Sequence, residues 1–293
     1  MKALIIAEHA AAAAELVAGA RTMADEVVAI SFGGAYECGA DKVLNITVPE
    51  GLTVDSAVET VNAAFDAENP EIVLVEACRH MKVIAGSLAF HADTAVITDV
   101  TAFEAEGAKS MYFGGIAERV QKAAGNVAIY TVGAGVFDGA EGANGSVAEQ
   151  EWVAPACPVK VVSSQVIEKS GVNLFKADVV VAAGRGFAEE SQLSMANDLC
   201  DKLGAGLACS RPLTEGVNWL PTERYVGVSG LMLTPKVYIA AGISGQMQHM
   251  VGCNRSGAIF AINKDKNAPI FKQCDFGLIG DIKDVLPAIT AAL

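Results

Sequence analysis

The chain has 293 residues, of which 52% are hydrophobic and 19% charged, with 29 glycines and a formal net charge of −13 at pH 7. That length and apolar content predict about two soluble domains, each with a core of its own. The acidic balance excludes a nucleic-acid binder, whose phosphate contacts need Lys/Arg patches, and disfavours an anionic membrane surface as partner.

Residues 2–8 predict a strand directly after Met1, so no signal peptide is expected ahead of the fold. The alanine-rich stretch 10–24 predicts a helix, too short to span a bilayer. Strands follow at 27–32 and 42–46. Val54, Val58, Val61 and Phe65 recur at helical spacing and predict an amphipathic helix over 53–68, ended by Asn69-Pro70. Strands are predicted at 72–76, 95–100, 110–113 and 127–131, with helices at 83–90 and 116–124. This alternation favours a parallel sheet. Residues 133–145 are glycine-rich, and Pro155 and Pro158 follow an acidic stretch, which reads as a linker. The expected domains are 1–158 and 159–293.

The second half restarts the alternation. A strand at 179–183 enters Gly184-Arg185-Gly186, and a helix covers 189–203. A strand at 206–210 enters Arg211-Pro212, and another at 225–228 enters Ser229-Gly230. Residues 237–241 are a buried strand that runs into the turn Gly242-Ile243-Ser244-Gly245 and a helix at 246–251. The strand 258–262 ends at Asn263. Asp275 precedes a strand at 276–280, and a helix at 282–293 closes the chain.

Strand after strand thus ends on glycine or a polar residue, the pattern of a ligand-binding edge in a doubly wound sheet. Arg185, between two glycines, suits a phosphate; its plain alternative is a solvated loop arginine. Arg211, fixed by the following proline, suits a position over an aromatic ligand; its alternative is an ion pair. His249 lies one turn into the helix after the glycine turn, with Gln248 beside it; its alternative is a hydrogen-bonded core histidine. Glu8, His9 and Asp99 read as capping or loop residues.

Seven cysteines, an odd number with no CxxC pair, predict buried reduced thiols and a cytoplasmic location, with no disulfide framework and no metal motif. No GxSxG, HExxH or GxxxxGK[ST] motif is present. The stretch GAGVFDG at 133–139 lacks the spacing of a dinucleotide fingerprint.

The second-half motifs resemble the α subunit of electron-transfer flavoproteins. They are Gly184-Arg185-Gly186, Cys209-Ser210-Arg211-Pro212, Val226-Gly227-Val228-Ser229-Gly230, the run from Gly242 through Gln246, Met247, Gln248 and His249, Ala261-Ile262-Asn263-Lys264-Asp265, and Asp275-Phe276-Gly277. They occur in the family's order over residues 179–293. The resemblance implies an α/β fold of two domains, each a largely parallel sheet with flanking helices, the second a Rossmann/flavodoxin-like FAD-binding domain. It implies an isoalloxazine near Arg211, Ser229 and His249, and phosphates and ribityl chain near Arg185, Ser244 and Gly245. The adenosine falls near Asn263 and Asp275. Ser210, Val226, Gly227, Val228, Gln246, Met247, Gln248 and Phe276 complete the implied cofactor set. The family works as a heterodimer with a β subunit that carries AMP, or FAD in electron-bifurcating members, and that the first domain contacts. Electrons come from flavoprotein dehydrogenases or oxidoreductases.

Val228 stands where the family turn usually has glutamine, which removes one polar flavin contact. The segment from Trp219 to Ser229 looks more like the bacterial branch tied to nitrogen fixation and carnitine metabolism than the mitochondrial type. Flavin reduction places negative charge on the N1–C2=O end of the ring, so Arg211 and His249 are the groups expected to raise its potential. The alternatives are a stand-alone flavin- or nicotinamide-dependent dehydrogenase, which would act on a substrate without a second subunit, and a nucleotide-binding regulatory module, which would be colourless.

Overall fold

The computed structural model describes residues 1–139, 142–165 and 172–293; part of the glycine-rich stretch and a piece of the region after Pro158 lie outside it. The chain forms two compact units, Met1–Tyr112 with Ala117–Val166, and Ile167–Leu293 with Phe113–Ile116.

The first unit runs β1 (Lys2–Ile6), α1 (Ala10–Ala20), β2 (Glu26–Phe32), β3 (Lys42–Ile46), α2 (Val58–Glu68), β4 (Ile72–Glu76), α3 (Arg79–His91), β5 (Val96–Glu104), β6 (Gly107–Tyr112), β7 (Ala117–Gln121), β8 (Ala128–Val132) and β9 (Ser146–Glu149). These strands make one nine-stranded sheet in the order β7-β6-β5-β8-β4-β1-β2-β3-β9. Among the described residues, its β5–β6 and β6–β7 pairs are antiparallel and its other strand pairs parallel. The central strands are continuous apolar runs because helices cover both faces. Val61 and Ala64 of α2 and Met81, Ile84 and Leu88 of α3 pack on one side, and Ala13, Leu16 and Val17 of α1 on the other.

The helix expected at 116–124 is strand β7. Its five residues pair antiparallel with β6, from Ala117 opposite Tyr112 to Gln121 opposite Ala108. Strand pairing overrides the helix propensity of Ala, Glu, Arg and Gln here. The first unit also holds the chain beyond Glu149. Thr60 Oγ1 accepts the Val153 N–H at 2.9 Å, and Ser56 Oγ accepts the Val159 N–H at 2.9 Å.

The second unit contains β10 (Val179–Ala183), α4 (Leu193–Leu203), β11 (Gly206–Cys209), β12 (Val237–Ala241), α5 (Met247–Met250), β13 (Ala258–Asn263), β14 (Phe276–Ile279) and α6 (Ile282–Ala292). All five strands are parallel, in the order β11-β10-β12-β13-β14. The second strand in sequence is therefore outside the first, and the third lies on the first's other side. This is the flavodoxin-type order, and its switch point is the carboxyl end of the β10–β12 pair. Helices α4 and α6 cover one face through Leu193, Ala196, Leu199, Ile282 and Leu286. The other face is covered by turns and loops that bring Val226, Leu233, Ile243, Met250 and Ile270.

Two expectations change. Residues 225–228 form no strand, only single bridges from Tyr225 to Cys209 and from Val226 to Leu231. The helix expected at 246–251 is one turn. The chain there must lie against the 227 loop: a Cβ on Gly252 would come within 2.5 Å of the Gly227 nitrogen.

Candidate functional site

At the switch point a cleft of about 730 Å³ opens between the loops after β10, β11, β12 and β13. That is within the range of small-molecule sites, roughly 300–1,000 Å³. Its floor depends on glycine. The Gly186 N–H donates to Gly242 O at 2.9 Å. A Cβ on Gly184 would stand 2.4 Å from Gly242 O, and Gly242 itself has φ +66. The loop after β10 thus lies backbone against backbone on the turn after β12, and Arg185 is presented between the glycines, exposed and on the cleft wall.

The turn after β12 is clamped from behind. Asn263 Nδ2 donates to Ile243 O at 2.8 Å, and its Oδ1 accepts the Asp265 N–H at 2.9 Å. The Ile270 N–H donates to Ser244 O at 3.0 Å, and Gln273 Nε2 donates to Gly245 O at 2.9 Å. Gly245 is pressed so closely to Ile270 that a Cβ would lie 2.4 Å from its Cα. Gly245 and Met247 therefore shape the turn without lining the cleft, and Gly227 does the same for its neighbour loop, where the Val228 N–H donates to Gln248 O at 2.8 Å.

His249 is 8% exposed and Ser210 also 8%. Both line the cleft, and Ser210 Oγ and His249 Nδ1 are buried atoms with no hydrogen-bond partner. Buried polar atoms are nearly always paired in native structures, so two orphans in residues that line one cleft are groups a ligand there can satisfy. His249 Nε2 is 2.9 Å from the Tyr238 hydroxyl. Burial pulls the imidazole down to about 4, only partly opposed by the Val226 backbone, so the ring is neutral at ordinary pH.

Arg211 lines the cleft but is ion-paired with Glu215, four residues on, through Nε. Ser229 Oγ lies 2.6 Å from the Tyr225 hydroxyl. Glu215, Tyr225 and Tyr238 were not singled out in the sequence. Only Glu215 carried a signal, its spacing of four from Arg211. Val226, Val228, Ser244, Gln246, Gln248 and Asn263 line the cleft as well.

Asp275 and Phe276 stand elsewhere. Phe276 pairs with Phe260 at the start of the β13–β14 ladder, whereas Asn263 at the cleft pairs with Ile279. Asp275 accepts the Ile259 N–H at 2.7 Å, and the Phe276 ring stacks on Phe260 with centroids 4.7 Å apart. Both sit at the amino ends of their strands, away from the binding edge. The register instead brings the carboxyl end of β14 to Asn263, where the Gly280 N–H donates to Asn263 O at 3.1 Å. The acidic residue at that edge is Asp281, which caps α6 by accepting the Lys283 N–H at 3.0 Å.

In the first unit Glu8, His9 and Cys78 bring ligand-type atoms within 4.8 Å of one another. These groups satisfy each other and their neighbours: His9 Nδ1 meets Glu76 at 2.7 Å, His80 Nδ1 meets Glu8 at 2.9 Å, and the Cys78 thiol donates to Glu8 at 3.3 Å. Burial pushes the Cys78 thiol up to about 12. Asp99 pairs with Lys82 at 2.6 Å. All seven cysteines are free, and Cys38, Cys200, Cys209 and Cys253 are buried.

A five-stranded parallel sheet with a polar cleft at its switch point, floored by glycine, is the architecture of a nucleotide-cofactor domain. Residues 3–156 match the model of the electron transfer flavoprotein domain, and residues 173–254 match that of the electron transfer flavoprotein FAD-binding domain. The chain is 38% identical to Protein FixB of Escherichia coli O157:H7, over 95% of this chain and 94% of that one. Protein FixB of Shigella flexneri matches at 38% over the same shares. The chain belongs to the electron transfer flavoprotein α-subunit family, with relatives of the FixB type along nearly its whole length. It is an electron-carrier subunit with an FAD-binding domain and a β-subunit partner. Among the described residues no helix is long and apolar enough to cross a membrane.

The residues present fit FAD. The cleft offers an exposed arginine beside a glycine floor, two unpartnered buried polar atoms, and the apolar side chains of Val226, Val228 and Ile243.

Proposed function

We propose that this subunit holds FAD in the second-unit cleft and passes electrons between flavoprotein dehydrogenases or oxidoreductases and a downstream acceptor, in the cytoplasm. The observation that carries this reading is the pair of orphaned buried atoms, Ser210 Oγ and His249 Nδ1, in two residues that line the switch-point cleft. Bound FAD supplies the redox-active ring. Arg211, Ser229 and His249 are the residues assigned to the isoalloxazine end, Arg185, Ser210 and Ser244 to the phosphates and ribityl chain, and Asn263 with Asp281 to the adenosine end.

The cleft's titratable groups favour a carrier over an acid–base enzyme. Glu215 is engaged by Arg211, and His249 stays neutral down to about pH 4. His249 is therefore no base poised near neutrality. What the wall does offer is hydrogen-bond donors and positive charge, which favour a ring that gains negative charge on reduction.

Flavin stoichiometry per αβ complex tests the reading, with Ser210→Ala and Arg185→Ala as probes. FAD should bind without a covalent link, and both substitutions should weaken it. Retention of the flavin at full affinity in the double variant would remove the assignment. Sedimentation of the chain with and without its β partner tests assembly; an obligate interface of this kind buries more than about 2,000 Å². A fully active, flavin-loaded single chain would overturn it.

A further inference from the structure

We propose that Tyr238 is a positioning residue for the flavin: it fixes His249 as the tautomer protonated on Nδ1, so that the imidazole presents a donor at the cleft wall. This rests on the FAD reading above.

Tyr238 lies on β12, at the centre of the sheet, and is 0% exposed. A phenol hydroxyl so buried must place its proton on an acceptor. Two polar groups face it, His249 Nε2 at 2.9 Å and the Cys253 thiol. Sulfur is a weak acceptor, and a neutral imidazole nitrogen is a strong one. Cys253 Sγ also has the His249 carbonyl within 4.0 Å, so the thiol proton has its own outlet. The tyrosine proton therefore points at Nε2.

A neutral imidazole carries one donor and one acceptor nitrogen. With Nε2 accepting, Nδ1 carries the proton. The Val226 backbone, which opposes the desolvation of His249, also favours a proton on the ring, but Nδ1 has no partner at hydrogen-bond geometry, so that proton is left for a ligand. The other tautomer would leave the tyrosine proton without a good acceptor in the core and the Nδ1 lone pair unmatched. The sheet thus sets the polarity of the cleft wall through one hydroxyl: the wall donates, and it meets a carbonyl or anionic edge of its ligand.

The test uses the chain labelled with ¹⁵N-histidine and assembled with its β partner, with and without FAD. The expected result is a protonated Nδ1 and a bare, hydrogen-bonded Nε2 for His249 in both forms. In Tyr238→Phe the Nε2 signal should lose its hydrogen-bond shift and the proton should redistribute between the nitrogens. At a fixed applied potential the oxidised-to-reduced ratio of the bound flavin should rise about tenfold, which is about 59 mV for a one-electron couple. FAD affinity should fall less than that. A wild-type His249 protonated on Nε2 overturns the proposal, and so does a Tyr238→Phe variant whose nitrogen signals and potential are unchanged. The FAD-free nitrogen signals decide the tautomer even if FAD fails to bind, a failure that would count against the functional reading instead.

Discussion

The Tyr225 hydroxyl lies 2.6 Å from the Ser229 hydroxyl, on the wall of the cleft. If Tyr225 donates, Ser229 keeps its own proton for a ligand. Tyr225→Phe removes that arrangement without removing the serine. It should cost about 1 kcal/mol of flavin affinity or of preference for the reduced form, the scale of one hydrogen bond. Ser229→Ala should cost at least as much, and the double variant no more than Ser229→Ala alone. Calorimetric titration of FAD and a potentiometric titration of the four proteins check this. Strictly additive losses would show that the two hydroxyls act separately.

Arg211 and Glu215 should act in opposition. The sequence leaves Arg211 either over an aromatic ligand or in an ion pair; Glu215 holds its guanidinium and raises its pKa further, so the charge is partly cancelled at its source. Arg211→Ala should lower the flavin potential and Glu215→Gln should raise it. Both side chains are largely exposed, so both shifts should shrink between about 20 mM and about 500 mM salt as screening tightens. Spectroelectrochemistry at the two salt concentrations is the measurement. Shifts of the same sign in the two variants would refute the opposition.

His249 gives the FAD-free chain an acid weakness. Its folded-state value is about 4 against an ordinary 6.5, so between those pH values the unfolded chain binds more protons than the folded one. Stability is therefore full above about pH 6.5 and falls as pH drops toward 4, by roughly 3 kcal/mol over that window. Tyr238, Cys253 and the Val226 backbone surround the ring, and none is an anion at these pH values to relieve it. His249→Gln should flatten this part of the profile. Urea unfolding from pH 4 to pH 7.5 reads the difference; parallel profiles for the two proteins would mean another group dominates.

Gly242→Ala separates backbone strain from packing at the cleft floor. Its Cβ would stand 2.7 Å from the Gly186 Cα, at φ +66. Gly204→Ala meets nothing within 4 Å at φ +60. The second should cost only the left-handed strain, about 1–2 kcal/mol, and leave FAD affinity unchanged. The first should cost more and weaken FAD, because the loop bearing Arg185 must move. Thermal melts and FAD titration of both variants test this, and equal losses would argue against a packed floor.

Much of this was legible in the sequence where burial leaves a plain signature. Residues 179–183 and 258–262 read as strands because helices or loops cover both faces of the sheet and only apolar residues fit. Arg185, Ser244 and His249 are legible because polar residues recur beside glycine turns at successive strand ends, in the order of the family the motifs resemble. Strand β7 was hidden because its residues are good helix formers held extended by β6. Tyr238 was hidden because a strand pattern shows only that a side chain is buried, not which hydroxyl it turns toward. Asp275 stands beside Asn263 only in what the resemblance implies. The ladder register, which sequence does not contain, sets it beside Ile259 at the opposite edge.

Among the described residues the last strand of the second sheet has no strand on its outer side, and its four residues are all exposed, with Phe276, Leu278 and Ile279 among the exposed large apolar side chains. An open apolar edge is a template for another copy of itself. Surplus chain is therefore a hazard in proportion to its concentration. Soluble yield should level off as expression rises, while insoluble material grows. Charged substitutions at Leu278 or Ile279 should restore the yield, which makes aggregation of this subunit a property of one strand rather than of the fold.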